Sequence, residues 1–450
     1  MPIIRKKQKN IKPTRLLVLS FVCAILAGAF LLMLPISATS GQWGNFIDCL
    51  FTSTSATCVT GLTVCDTYIH WTIFGQSVIM LLIQIGGLGL ITLVTSMSLS
   101  LGRKMGLVKQ SNLVSDISLS GISAMKSLFR RIVAIAFGVE LAGAIAFMFT
   151  FIPEYGAYGV FMSFFMAVSS FCNAGLDVMS IDGKTIADYY SMPQVLIPMM
   201  LLIIIGGIGF TVWDNFFSYR KVRKLSFHTK IVLITTAILI VTGTVLYFIV
   251  SLIEAEKFAH LNVGEKVMTS AFASVSARSA GLTVADLPLA NEFSRLTTMT
   301  LMFIGAAPSS TAGGVKVTTL AILVTTIICV LKGREDTVVF GHTISKKVVY
   351  KALAVFVLSI GFIVVSFVAV YLLNPELKAM DILYEVISAF STTGLSSGVS
   401  AVANDATKII LTLTMFVGRI GPISLILSLT SGSKPQINDR VLPQGGILIG

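Results

Sequence analysis

Four short stretches hold the residue types best suited to chemistry in this chain: "ATCVTGLTV" (56–64), "SSFCNAGLDV" (169–178), "SARSAGLTV" (276–284) and "AFSTTGLSSG" (389–398). Each is rich in small and hydroxyl-bearing residues, and each reaches a glycine followed by leucine, at Gly61, Gly175, Gly281 and Gly394. Glycine gives the backbone freedom to turn, and a turn of this kind leaves main-chain carbonyls without regular partners. Rings of such carbonyls replace the water shell of a dehydrated cation. Other chemistries find less support. The six cysteines (Cys23, Cys49, Cys58, Cys65, Cys172, Cys329) contain no CxxC, and the four histidines are scattered, so a metal site is not expected. Cysteines within apolar spans, such as Cys23 and Cys329, read as small core hydrophobes. There is no phosphate-cradling lysine loop, no HExxH and no GxSxG, and the serines at 309–310 have no histidine or acid nearby to activate them. No catalytic residue is assigned, and the chain reads as a non-enzyme.

The elements that place these turns follow from composition. The 450 residues are 55% hydrophobic and 12% charged, with a mean hydropathy of +0.89. Soluble domains carry about 25% charged residues. Apolar runs near the roughly 20 residues that span a bilayer recur along the chain, which implies an integral membrane protein built from helices rather than barrel strands. The first run, Leu16 to Pro35, is longer than a signal-peptide core and reads as a spanning helix.

One three-part unit occurs four times: an apolar span, a shorter stretch ending in the glycine turn, and a second span. The opening spans lie near 16–35, 131–152, 230–253 and 349–373, the closing spans near 73–101, 193–219, 296–331 and 406–430. The turn glycines are 114, 106 and 113 residues apart, and each unit has a later glycine in an apolar setting, at Gly86, Gly206, Gly305 and Gly418. The repeats run 16–101, 131–219, 230–331 and 349–433. The linkers 102–130, 220–229 and 332–348 and the tails 1–15 and 434–450 collect, with their edges, 24 of the 33 basic residues. The positive-inside rule places these segments, and both termini, in the cytoplasm. The net charge of +12 therefore reports topology and not nucleic-acid binding. Acids such as Asp48, Asp66, Glu154, Asp177, Asp182 and Asp286 fall inside the units.

A unit that starts and ends on one side crosses twice, so its middle stretch must enter and leave on the outer side. A helix of about 12–14 residues rises roughly 18–21 Å, short of the roughly 30 Å hydrocarbon core. The return must be irregular backbone, tolerated at that depth only when buried or lining water. The helix precedes the turn, so its partially negative C-terminal end faces the axis and favours a cation. The expected fold is an all-α polytopic membrane protein, with four consecutive helix–pore-loop–helix repeats in pseudo-fourfold arrangement around one central ion pore.

Within the third closing span, Gly305 to Lys316 combines Gly305, Pro308, Thr311, Gly313, Gly314 and Lys316. Proline and glycine break helices, and freed backbone groups cannot face lipid, so this run must line water or protein. Arg419, in mid-span, and Arg278, beside the third turn glycine, are intramembrane charges and so functional candidates. Arg419 reads as an electrostatic barrier in a cation path, and Arg278 as a brace behind the third turn, donating to carbonyls or an acid. Glu140 needs a partner on a neighbouring helix, and Asp214 is similarly uncommon in its span.

These residues resemble the Trk/Ktr/HKT superfamily of potassium transporters, and within it the membrane subunit of bacterial Ktr systems. The resemblance covers about 16–433 and rests on the four glycines, on "GAAPSSTAGGVKVTT" (305–319) and on "VGRIGP" (417–422). It implies a selectivity filter whose carbonyls come from Val59, Thr60 and Gly61; Asn173, Ala174 and Gly175; Ser279, Ala280 and Gly281; and Thr392, Thr393 and Gly394. Gly61, where sodium-admitting members often have serine, implies preference for potassium. The resemblance further implies an intramembrane gate loop at 305–316 with Arg419 as its counterpart, K+ as the transported ion and Na+ as a candidate activator. It also implies a homodimer in the cell membrane of a bacterium, and a ring of cytosolic nucleotide-binding (RCK-type) regulatory subunits on the basic face, with the nucleotide on those partners. The loop reads "AAPSS" where members are richer in glycine. An alternating-access secondary transporter built from inverted repeats is the alternative, and the shared orientation of the four units argues against it.

Overall fold

The computed structural model describes residues 13–89, 122–181 and 183–429. The basic residues of 1–12, the far end of the first closing span (90–101), most of the linker 102–130, Asp182, and the tail with Lys434 and Arg440 lie outside the described residues. Repeat 1 comprises α1 (Pro13–Met33), α2 (Phe46–Cys58) and α3 (Ile73–Gly87). Repeat 2 comprises α4 (Ile122–Cys172), α5 (Pro193–Ile208) and α6 (Phe210–Val222). Repeat 3 has α7 (Phe227–Ile253), α8 (Val263–Ser276), α9 (Glu292–Phe303) and α10 (Val317–Leu331). A hairpin, β1 (Thr337–Val339) against β2 (His342–Ile344), leads to repeat 4: α11 (Lys346–Leu373), α12 (Ala379–Ser391), α13 (Asp405–Ile420) and α14 (Pro422–Leu429).

Local chemistry sets the ends of these helices. The Asn45 side chain accepts from Ile47 N at the start of α2, and Asn404 accepts from Thr407 N at the start of α13. In repeat 2 the opening span and the short helix run together as α4, kinked at Gly156 (φ 56°, ψ −131°) after Pro153. Proline removes a helical donor there and glycine accepts the positive φ. Segments 130–172, 227–253 and 346–373 are long and apolar enough to cross a membrane.

The closing spans depart from the expected unbroken helices. The span expected at 193–219 bends by 92° between α5 and α6, at Gly209 (φ 93°). The span expected at 406–430 breaks at Gly421 (φ 85°), and α3 ends just before Gly89 (φ 77°). Gly89, Gly209 and Gly421 each stand three residues after Gly86, Gly206 and Gly418. The third closing span is interrupted by residues 304–316, as the Gly305–Lys316 composition implies. Cys23 is exposed rather than in the core, whereas Cys329 is buried.

The earlier glycine of each pair has a packing role. A methyl group on Gly86, Gly206 or Gly418 would run into the carbonyl oxygen of Thr57, Phe171 or Phe390 respectively. These carbonyls each lie four residues before a turn glycine, so the closing helix rests its backbone against the end of the short helix. Apolar clusters hold the repeats together. Phe165, Phe171, Ile79 and Val59 join repeats 1 and 2; Phe51, Val386 and Met415 join 1 and 4; Tyr247, Met302 and Tyr384 join 3 and 4. Polar ties add register: Lys408–Asp48 at 2.6 Å, Arg295–Asp381 at 2.7 Å, and Glu140, both of whose oxygens accept from Gln84 Nε2 at 3.0 Å. Asp214 pairs with Arg131 at 3.5 Å.

Alanine at Gly206 or Gly418 is expected to cost about 1–3 kcal/mol through overpacking against carbonyls. Alanine at Gly138 or Gly361, where nothing lies within 4 Å, is expected to be neutral or mildly stabilising. Melting curves of the purified variants separate the two groups.

Candidate functional site

The four turns meet in a closed circle. A methyl group on Gly61 would stand 2.6 Å from Ala174 O and 3.0 Å from Gly175 Cα; one on Gly175 would stand 2.7 Å from Ala280 O and 3.1 Å from Gly281 Cα. On Gly281 it would meet Thr393 O, with Gly394 Cα at 3.0 Å, and on Gly394 it would meet Thr60 O, with Gly61 Cα at 2.8 Å. The order 61, 175, 281, 394 and back to 61 leaves no gap. At the ring each turn glycine therefore lies against the main chain of the next turn, where an added Cβ would force a shift.

The backbone of each turn repeats one conformation. Gly61, Gly175, Gly281 and Gly394 have φ of 94°, 69°, 72° and 92°. Two residues earlier, Val59, Asn173, Ser279 and Thr392 have φ of 58°, 59°, 73° and 50°. For residues other than glycine this region costs roughly 1–2 kcal/mol each, and such strain persists only where surrounding contacts impose it. Those contacts are hydrogen bonds from the preceding helix. Ser55 Oγ accepts from Gly61 N, and Ser388 Oγ from Gly394 N, both at 3.1 Å. Ser169 Oγ donates to Leu176 O at 2.5 Å, and Ser276 Oγ bonds Leu282 O. Ser55, Ser169 and Ser388 all stand six residues before their turn glycine, a regularity present in the sequence that composition does not reveal.

On the side of the turns toward residues 63–67 and 176–186 lies a cavity of about 220 Å³, bordered by the four turn glycines, Asp66 and Asp177. Asp177 accepts from Met179 N at 3.1 Å. Burial pushes its carboxyl up to about 6, opposed by the Met179 bond and aided by the charge of Asp66. Asp66 itself accepts from Ser180 Oγ at 2.5 Å, a tie between repeats 1 and 2.

On the opposite side the 304–316 loop crosses from repeat 2 to repeat 4. Ala307 N donates to Gly207 O at 3.0 Å, and Phe210 N donates to Ser309 O at 3.0 Å, so the loop is stitched into the break between α5 and α6. Thr311 Oγ1 lies 3.0 Å from the Asn173 amide and 3.3 Å from Phe171 O. Gly313 packs against the Thr392 side chain, and Gly314 against Ser391. Lys316 Nζ donates to Ala312 O at 2.6 Å. Arg419, from the end of α13, donates to Thr311 O and to Gly86 O, which joins loop, repeat 1 and repeat 4. Gly305, Pro308, Thr311, Gly313, Gly314, Lys316 and Arg419 thus belong to one layer. Arg278 is buried behind the third turn, and its Nη2 donates to a carbonyl, Gly305 O, at 3.4 Å.

Such an arrangement suits a dehydrated monovalent cation: neutral oxygens in a ring, acids on one side, and helix C-termini ending beside it. Among the described residues no group of three or more His, Cys, Asp or Glu side chains is placed to hold a metal ion.

Comparison with known proteins gives the family and the fold. The sequence profile of the TrkH cation transport protein family matches residues 12–436. The chain is 36% identical over 451 residues to the Ktr system potassium uptake protein B of Bacillus subtilis, covering 99% of both chains. It is 35% identical to a potassium/sodium uptake protein of Enterococcus hirae, covering all of both. The crystal structure of the potassium transporter TrkH from Vibrio parahaemolyticus has the same fold, with a TM-score of 0.72 at 18% identity over 95% of this chain and 86% of that one.

Replacing Ser55 or Ser388 with alanine leaves a buried glycine N–H without its acceptor, at an expected cost of about 1–3 kcal/mol. Ser77→Ala, which removes an exposed bond to Ile73 O, is the control. Thermal unfolding of the three variants provides the comparison.

Proposed function

This chain belongs to the TrkH family of cation transport proteins, and we propose that it carries potassium into the cell through the ring of glycine turns. The observation that carries this reading is the unbroken main-chain circle through Gly61, Gly175, Gly281 and Gly394. Carbonyls of residues 59–61, 173–175, 279–281 and 392–394 take the place of water around the ion. The cavity bordered by Asp66 and Asp177 is the outer mouth, where fixed negative charge raises the local cation concentration. The basic linkers face the cytoplasm, and eight spans in four like-oriented repeats surround one path. Potassium is the cargo, as the names of the relatives from B. subtilis and E. hirae suggest, with sodium as a second candidate from the latter.

The 304–316 loop acts as the gate. It fills the path beneath the ring and is held shut by Arg419, whose two bonds pin Thr311 and Gly86. A cation at that level also repels potassium. A regulatory partner on the cytoplasmic face opens the gate, as the word "system" in the relative's name suggests. An RCK-type nucleotide-binding ring and a homodimeric membrane subunit are the partners that the family resemblance implies.

Purified protein in liposomes with an outward potassium gradient tests the reading. Passive, potassium-selective flux supports it, and flux that needs a counter-transported solute contradicts it. Arg419→Ala is expected to raise basal flux roughly tenfold, since it removes two charge-assisted bonds of the kind worth about 1.5–3 kcal/mol. Unchanged flux removes Arg419 from the gate.

The outer mouth predicts a pH dependence. With its ionisation displaced to about 6, Asp177 is anionic above that pH and neutral below it. Its attraction for potassium is thus lost as external pH falls. KM for potassium is expected to rise roughly threefold between about pH 7.5 and about pH 5. In Asp177→Asn this step disappears, and KM stays at the acid-side value, which steady-state rubidium uptake measures.

A further inference from the structure

Glu385, on the short helix α12, is fully buried and has no cationic partner in any ion pair among the described residues. The chain just past the fourth glycine turn surrounds it with donors. Ser397 N donates to Oε2 at 2.9 Å and Ser400 N to Oε1 at 3.1 Å. The Ser396 hydroxyl lies 2.9 and 3.0 Å from the two oxygens, the Ser397 hydroxyl 3.1 Å from Oε2, and the Ser400 hydroxyl bonds Oε1. The Ser397 hydroxyl also lies 2.9 Å from Asp381 O. Each carboxylate oxygen accepts an obligate N–H donor, the environment of an ionised, acceptor-only group.

Its position gives this cage a purpose. Ser388, which holds Gly394 N, stands three residues further along α12, so the two side chains share one helix face. That face grips the fourth turn twice, at Gly394 by Ser388 and at residues 396–400 by Glu385. Nine residues before the other turn glycines stand Thr52, Met166 and Phe272. At this position, nine residues before the turn glycine, only the fourth repeat carries an acid. The other acid on α12, Asp381, is paired with Arg295 at 2.7 Å, which leaves Glu385 as the acid of that helix without a cationic partner among the described residues.

We propose that Glu385 is a positioning residue for ion selection: its carboxylate fixes the fourth filter turn and adds a negative potential that strengthens potassium binding in the ring. The proposal rests on the filter reading above. A buried charge in a low-dielectric surround acts over longer distances than an exposed one, and the serine cage holds it at no cost in mobility. The cage also accounts for three serines in the run "SSGVS" (396–400).

Glu385→Gln keeps the shape and removes the charge. Rubidium uptake into liposomes, at varied potassium and with sodium as competitor, gives the readout. The expected result is a KM higher by roughly tenfold with the maximal rate per folded protein retained, and reduced discrimination against sodium. Glu385→Asp is expected to recover part of both. A merely structural brace would lower the amount of folded protein and leave KM and discrimination unchanged, and that result overturns the proposal. If Glu385→Gln yields no folded protein, Ser396→Ala and Ser400→Ala carry the test, each expected to raise KM by a smaller factor; unchanged KM in both overturns the proposal. Gly61→Ser in the same assay tells the two levels apart. If it alters discrimination while the Glu385 variants do not, the filter stands and the Glu385 proposal fails. If neither does, the filter reading fails first.

Discussion

Everything else in the molecule serves one steric constraint: four backbone turns pressed Cα to carbonyl, each filling the space where a neighbour's side chain would begin. Such contact crowds any Cβ and uses positive φ, so glycine is favoured on both counts. It also uses no side chain, which is why four repeats with little sequence in common can build one ring. The surrounding helices act as a frame that resists the turns opening outward. Their closing members press glycines against the ends of the short helices, at Thr57, Phe171 and Phe390.

Two kinds of departure break the fourfold likeness of the ring. The third repeat replaces the helix-to-helix glycine contact with a loop, and Gly305 there rests on Gly313 of that loop instead of on a short helix. The loop bonds directly to repeat 2, through Gly206, Gly207 and Phe210, and to repeat 4 through Arg419, which ties it in turn to Gly86 of repeat 1. The acids are also unevenly placed, with Asp66 and Asp177 at the mouth and Glu385 behind a single turn.

Much of this was legible in the sequence because glycine and charge leave compositional marks. The four turns, the apolar spans and the 305–316 interruption follow from glycine and proline set in apolar runs. Other features were not legible. Val59 carries a β-branched side chain that disfavours positive φ, and nothing in its type announces the left-handed conformation it adopts. The breaks at Gly209 and Gly421 fall in apolar stretches that read as continuous helix, although the recurring glycine pair three residues apart (86/89, 206/209, 418/421) was the available signal. Gln84 as the partner of Glu140, and the serine cage of Glu385, depend on segments brought together only by folding.

The most direct test is to see the ion. Crystals or vitrified particles of the protein prepared in thallium or rubidium should show heavy-atom density on the axis of the ring, within coordination distance of the carbonyls of Thr60, Ala174, Ala280 and Thr393. Density for the same ions at side-chain sites elsewhere, with the ring axis empty, would contradict the account.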